Sequence, residues 1–241
     1  MAEFEKTFWW HKGKLFLVQN LLNLLNKSTN TQLNILEIGC GSGEITSYLS
    51  QKNNVMGIDI FAEALDYCRE KGLTNLVEGD INQLDITKYY STFDFILALD
   101  VLEHIQDDVE TMHRAYSMLK PGGYFLVNVP AHKFLWSEHD EALHHKRRYH
   151  SLEITQKLKD CGFTIVKKSY FVTTAFFPIF FIRTWNTFFK KSAYPKTSYV
   201  PLPTYLNGLA TKIMALEAKL LCKFSLPLGT TLTVVAQKPN A

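Results

Sequence analysis

The segment Asn34-Ile35-Leu36-Glu37-Ile38-Gly39-Cys40-Gly41-Ser42-Gly43 constrains this chain more than any other. A short apolar run that breaks directly into alternating glycines reads as a buried parallel strand ending in a tight loop. Glycine lets the backbone adopt dihedrals closed to other residues and approach a ligand closely. In open α/β sheets, ligands bind at the carboxyl ends of the strands, where such a loop falls. Taken alone, the loop is compatible with a plain tight turn or with dinucleotide binding.

The alternation continues along the chain. Val55–Ile58, Leu76–Glu78, Phe93–Ala98, Tyr124–Val129, Thr164–Val166 and Thr231–Val235 read as six further strands. Helices are expected over about 44–51, 61–71, 107–119 and 151–160, with Gly72 and Gly162 as C-caps and Pro121-Gly122-Gly123 as a stop. Strands alternating with helices predict an α/β fold with a parallel, doubly wound sheet. The 241 residues are expected to form one domain over 1–241, with an N-terminal helical cap over 1–30. Asp59 ends the second strand about 20 residues past the first glycine, where an acid can bind both hydroxyls of a ribose.

Charge narrows the partners. The net charge of +3 gives no sign of a nucleic-acid binder, so no nucleic-acid partner is expected. From Phe171 onward, however, eight Lys/Arg face one acid, Glu217, a local charge of +7. Such asymmetry marks an anionic surface or ligand. The four cysteines are scattered without a C-x-x-C pair and read as reduced thiols, so a cytoplasmic protein is expected. The longest apolar run, Tyr170–Ile182, contains Pro178 and is shorter than the roughly 20 residues of a membrane span.

The loop resembles that of class I S-adenosylmethionine-dependent methyltransferases, Glu-x-Gly-x-Gly-x-Gly. Further motifs of that family follow in order: Asp59, Gly79-Asp80, Phe93-Asp94, Val101-Leu102-Glu103-His104 and Leu119-Lys120-Pro121-Gly122-Gly123. The resemblance covers roughly residues 33–170. It implies a Rossmann-like, mostly parallel seven-stranded sheet and S-adenosyl-L-methionine as cofactor. It assigns Gly39, Gly41 and Gly43 to the methionine and ribose moieties, with Glu37 beneath the loop. It assigns Asp59 to the ribose, Ile60 and Ile81 to the adenine, Asp80 to the adenine amino group, and Ala98 to Asp100 to the methionine end.

A narrower resemblance follows the fifth strand. Pro130-Ala131-His132, Leu135-Trp136-Ser137, His139-Asp140-Glu141, His144 and Arg147-Arg148-Tyr149 are similar to a subgroup of bacterial methyltransferases of polysaccharide and secondary-metabolite pathways. That subgroup also tends to begin with an aromatic pair and a basic segment, here Trp9-Trp10-His11-Lys12. In this topology the post-strand loop overlooks the transferable methyl. Its histidines admit three readings: a general base, a transition-metal site, or a lid held by hydrogen bonds. His139, with Asp140 and His144, is the expected catalytic set, and no metal ligands are assigned. Arg147 and Arg148 could clamp an anion or pair with Asp140 and Glu141.

About 60 residues, 171–228, separate the last two strands, a helical insertion where the family has a short hairpin. Phe177, Phe181, Thr184, Trp185 and Phe188 share one face of a helical wheel; Arg183, Asn186, Thr187 and Lys190 share the other. Leu206, Leu209, Ile213, Leu216 and Leu220 form a second stripe. The two helices could pack on the domain, form a homodimer interface, or rest peripherally on the inner membrane through 174–191. The expected function is methyl transfer to an oxygen or nitrogen of a small-molecule or lipid-linked, glycan-type acceptor. A non-catalytic cofactor-binding subunit or a membrane-docked assembly protein is the alternative.

Overall fold

The computed structural model describes residues 8–26, 31–189 and 202–240, apart from the side chains of 186–189. Seven strands form one sheet in the order β3-β2-β1-β4-β5-β7-β6. They are β1 (Asn34–Ile38), β2 (Asn54–Asp59), β3 (Leu76–Glu78), β4 (Phe93–Leu99), β5 (Leu119–Pro130), β6 (Thr164–Phe171) and β7 (Thr231–Gln237). The first five pair in parallel, and β7 runs antiparallel between β5 and β6. This is the mostly parallel, Rossmann-like sheet the alternation predicts.

The helices are α1 (Trp9–Leu25), α2 (Glu44–Ser50), α3 (Ala62–Glu70), α4 (Asp108–Met118), α5 (Glu138–Ala142), α6 (Ser151–Asp160), α7 (Phe176–Phe189) and α8 (Thr204–Lys223). Strands covered on both faces must be apolar on both, so β4 and β5 are nearly continuous buried runs. One face of the sheet packs Leu36, Ile96, Phe125 and Val234 against α4 and α6 residues such as Met112 and Leu158. The other packs Ile35, Leu97, Leu126 and Val235 against α1 and α8, through Leu17, Leu21, Met214 and Ala218.

Two boundaries differ from the sequence reading. β5 starts at Leu119, not Tyr124, and crosses the Pro-Gly-Gly segment with a register shift against β4. β6 extends to Phe171, because Lys167 and Lys168 sit on an edge strand next to a bulge, where polar side chains reach solvent. The insertion therefore begins at Val172.

Helix α1 is fixed from far along the chain. A Cβ on Gly13 would lie 3.1 Å from Met214 Cβ, so glycine lets α1 and α8 approach closely. The Asn207 side chain accepts a hydrogen bond from Trp9 N at 3.0 Å, satisfying one of the open donors at the start of α1.

Candidate active site

Gly39, Gly41 and Gly43 all have positive φ, at +71°, +52° and +76°. Only glycine takes these values without strain. The loop turns sharply off β1, and Gly43 opens α2 in the left-handed conformation. A Cβ on Gly39 would stand 2.6 Å from Val101 Cγ2, whereas one on Gly41 would meet nothing within 4 Å. Gly39 thus packs the loop on the turn after β4, and Gly41 leaves open space for a ligand.

That space belongs to a cavity of about 340 Å³. Its floor is the loop from Gly39 to Ser42 with Glu37 beneath. Asp100 and Leu99, at the end of β4, form one side. Trp10, His11, Lys14 and Leu15 of α1 form another, and His104, Leu143 and His145 also line the cavity.

The electrostatics follow from burial. Glu37 lies inside the domain, accepts a hydrogen bond from the Thr46 hydroxyl, and is pushed up to about 7 mainly by desolvation. Asp100, in a strained left-handed turn at φ +56°, pairs with Lys14 at 3.0 Å and accepts from Asn128 Nδ2 at 3.2 Å. Asp59 is 7% exposed. Its carboxylate accepts from Gly41 N at 2.7 Å and Phe61 N at 3.0 Å, so it shapes the loop from below.

The structure thus gathers Glu37, Gly39, Gly41 and Asp100 on one cavity, with Gly43 and Asp59 directly behind it. The other expected contacts are not brought to it. Ile60 is exposed and does not line the cavity, while Ile81 and Ala98 are packed in the core. Asp80 caps its own turn, accepting from Asn82 N at 2.9 Å.

The post-β5 loop folds into a lid centred on Asp140, which is 0% exposed. Asp140 forms a capping box with Ser137 at the start of α5. It also accepts from Arg148 Nε at 2.7 Å, contacts His145 Nδ1 at 2.9 Å and Arg183 at 3.5 Å. Burial pushes its carboxyl up, but the His145 hydrogen bond and the Arg148 and Arg183 charges outweigh it and hold the carboxyl down at about 2. Arg148 also donates to Ala131 O at 2.8 Å, and Arg147 pairs with Asp108 at 3.0 Å. Both arginines therefore serve the lid, the pairing alternative, though Arg147 uses Asp108 in place of Glu141.

The expected catalytic set sits differently from the cavity. Burial, with the Arg183 charge second, lowers His139 to about 3, and His139 does not line the cavity. His144 is exposed on the far side of its turn. Besides His11 of α1, the histidines that reach the cavity are His145 and His104, whose rings meet edge-on with centroids 4.8 Å apart. Sequence reading missed the role of α1, although Trp9-Trp10-His11-Lys12 stood out as a motif.

A loop of this geometry after β1, in a sheet of this order, defines a nucleotide-cofactor protein of the Rossmann-like class. Comparison with known proteins takes the assignment further. A family model described as "Methyltransferase domain" matches residues 9–168. The chain belongs to that methyltransferase family, and family and fold together imply S-adenosyl-L-methionine as the cofactor. The chain is 33% identical over 144 residues to phosphoethanolamine N-methyltransferase 1 of Arabidopsis thaliana, covering 55% of this chain and 29% of that protein. It is 29% identical over 140 residues to the ubiquinone biosynthesis O-methyltransferase of Shewanella pealeana, covering 52% and 58% respectively. A SAM-dependent methyltransferase from Archaeoglobus fulgidus shares the fold with a TM-score of 0.56 at 18% identity, covering 92% of this chain and 93% of that one. The chain thus spans less than two thirds of the length of these curated relatives.

The cavity fits that cofactor. Glu37 and Asp100 offer acidic groups to a sulfonium and an ammonium, Lys14 offers a cation to a carboxylate, and Gly41 leaves room for close approach.

Proposed function

We propose that the chain transfers the methyl group of S-adenosyl-L-methionine to an oxygen or nitrogen of a small-molecule or lipid-linked acceptor. One observation carries the reading: the same cavity is lined by the glycine loop and by His104 and His145. The bound cofactor supplies an electrophilic methyl group, so the protein's task is to align the acceptor and exclude water. His145 is oriented by Asp140 and is the side chain best placed to act on the acceptor; His139 and His144 support the lid. The relatives' names, an amine and a hydroxyl methyltransferase, support both acceptor atoms. The lid motif supports kinship with enzymes of polysaccharide and secondary-metabolite pathways.

The insertion supports a lipid-linked acceptor or a peripheral membrane contact. Phe177, Phe181 and Trp185 are 59%, 66% and 57% exposed. No helix among the described residues is long and apolar enough to cross a membrane.

Calorimetry with S-adenosyl-L-methionine and its demethylated product tests the cofactor assignment. Both should bind and NAD should not. NAD binding without a response to S-adenosyl-L-methionine would overturn the reading.

A further inference from the structure

We propose that Glu103, His104 and His145 form a divalent metal site in the wall of the acceptor end of the cavity. The proposal deepens the function above, since it rests on the acceptor reacting at this edge. The turn after β4 supplies Glu103 and His104, and the turn after α5 supplies His145. Lys146 N donates to Glu103 O at 2.8 Å and locks the two turns together. One ligand atom from each of the three side chains lies within 4.8 Å of the others.

A separate observation points to a missing partner. Glu103 is 1% exposed, yet its Oε2 has no hydrogen-bond partner. Oε1 stands 3.9 Å from His145 Nε2. A buried carboxylate oxygen without a donor forfeits its hydration with nothing in return, so such atoms are rare unless something else satisfies them. A cation at this point would do so.

His145 is already arranged as a ligand. Its Nδ1 is held by Asp140 Oδ1 at 2.9 Å, which leaves Nε2 directed toward Glu103. A carboxylate on one ring nitrogen and the metal on the other is the usual outer-shell arrangement of a ligating histidine. Ligands about 2.1 Å from an ion stand roughly 3.4 Å apart in a tetrahedron, so binding draws the three side chains inward by about 1 Å.

Two imidazoles and one carboxylate favour a transition cation such as Zn²⁺ or Mn²⁺ over Ca²⁺, which prefers all-oxygen cages. Three protein ligands leave a position open toward the cavity. An acceptor oxygen entering it would be oriented and lowered in pKa, its proton passing to water. His145 then acts as a ligand, and the acceptor class narrows to hydroxyl-bearing molecules.

The test reads the metal alone. Protein stripped with a chelator should take up one equivalent of Mn²⁺, followed by the loss of the free-ion electron paramagnetic resonance signal. Zn²⁺ should bind at the same site in calorimetry. Glu103→Gln and His145→Ala should abolish saturable uptake; His104→Ala reports on the same site should Glu103→Gln fail to fold. Asp140→Asn should weaken uptake by about 10–100-fold. His113→Ala, on the exposed face of α4, should bind as the wild type does. A folded wild type that takes up neither ion, or uptake that persists in both His104→Ala and His145→Ala, would overturn the site. Calorimetry of S-adenosyl-L-methionine in chelator tests the cofactor reading separately, so the two can fail independently.

Discussion

Residues 34–130 and residues 172–228 are both rich in apolar side chains, but they place them in opposite ways. In the first region the apolar runs are strands, and Ile96, Phe125 and Val127 are fully buried. In the second they are helical stripes, and among the described residues both predicted stripes are largely exposed, Phe188 and Lys190 lying outside the described side chains. Leu209 and Leu216 of α8 are exposed, as are Phe177, Phe181 and Trp185 of α7, while Met214, Ala218 and Leu221 make the inward contact. Arg183 reverses the expected sense of α7: it turns inward, donating to Leu135 O at 2.9 Å. The aromatic stripe is the outer face and this arginine belongs to the lid. An apolar residue within a parallel sheet is held on two faces; one on a single covering helix is held only where that helix touches.

Asp140, in the lid between the two regions, ties that lid to the insertion, since Arg148 reaches it from the lid and Arg183 from α7. Removing one partner of a buried pair strands the other, at a cost of about 3–5 kcal/mol. Asp140→Ala should lose that much stability in urea unfolding. A loss below about 1 kcal/mol would mean that the insertion and the sheet are uncoupled.

Glu37 tests the buried region alone. Its folded pKa of about 7 lies above the ordinary carboxyl value of 4.5, so the fold favours the protonated form. The stability linked to it is present below pH 4.5 and is lost as pH rises through 7. Glu37→Gln keeps a neutral group there and should gain about 3 kcal/mol relative to wild type between pH 4 and pH 8. Parallel stability profiles for the two proteins would show that Glu37 is already solvated.

Turnover separates the cavity wall from the lid behind it. His145→Ala should lower the rate by roughly 100-fold, about 2.7 kcal/mol, with cofactor affinity nearly unchanged. His139→Ala should fall only a few-fold. The reverse ranking would return the acceptor-side role to His139.

The smallest stability effect belongs to the outer stripe. Phe181→Ser should change unfolding by less than about 0.5 kcal/mol, yet reduce sedimentation with anionic vesicles. A variant that unfolds, beside a wild type that ignores vesicles, would place the stripe in an interior contact and erase the contrast between regions.

The five parallel strands were legible because buried parallel strands read as unbroken apolar runs between glycines and acids, and β6 and β7 showed as short β-branched runs. The end of β6 was not, since Lys167 and Lys168 interrupt its pattern at an edge. In the site, the glycine loop and Asp59 were legible through spacing. The cavity wall was not: Lys14 meets Asp100 only because α1 docks on α8, a contact about 200 residues apart that no local pattern encodes. His145 and His139 are the same residue type in one motif, and only the turn of α5 decides which faces the cavity.

The position of β7 has a consequence for how the chain reaches this state. β7, made last of the seven strands of this sheet, lies between β5 and β6 and pairs with both. Until it arrives, β6 has no partner in the sheet. Helix α1, made first, likewise waits for α8 before its buried face is covered. The cofactor cavity, walled by α1, is therefore completed only after α8 has been made. Contacts of such long sequence separation fold slowly and leave apolar surface uncovered meanwhile, the condition under which nascent chains engage chaperones.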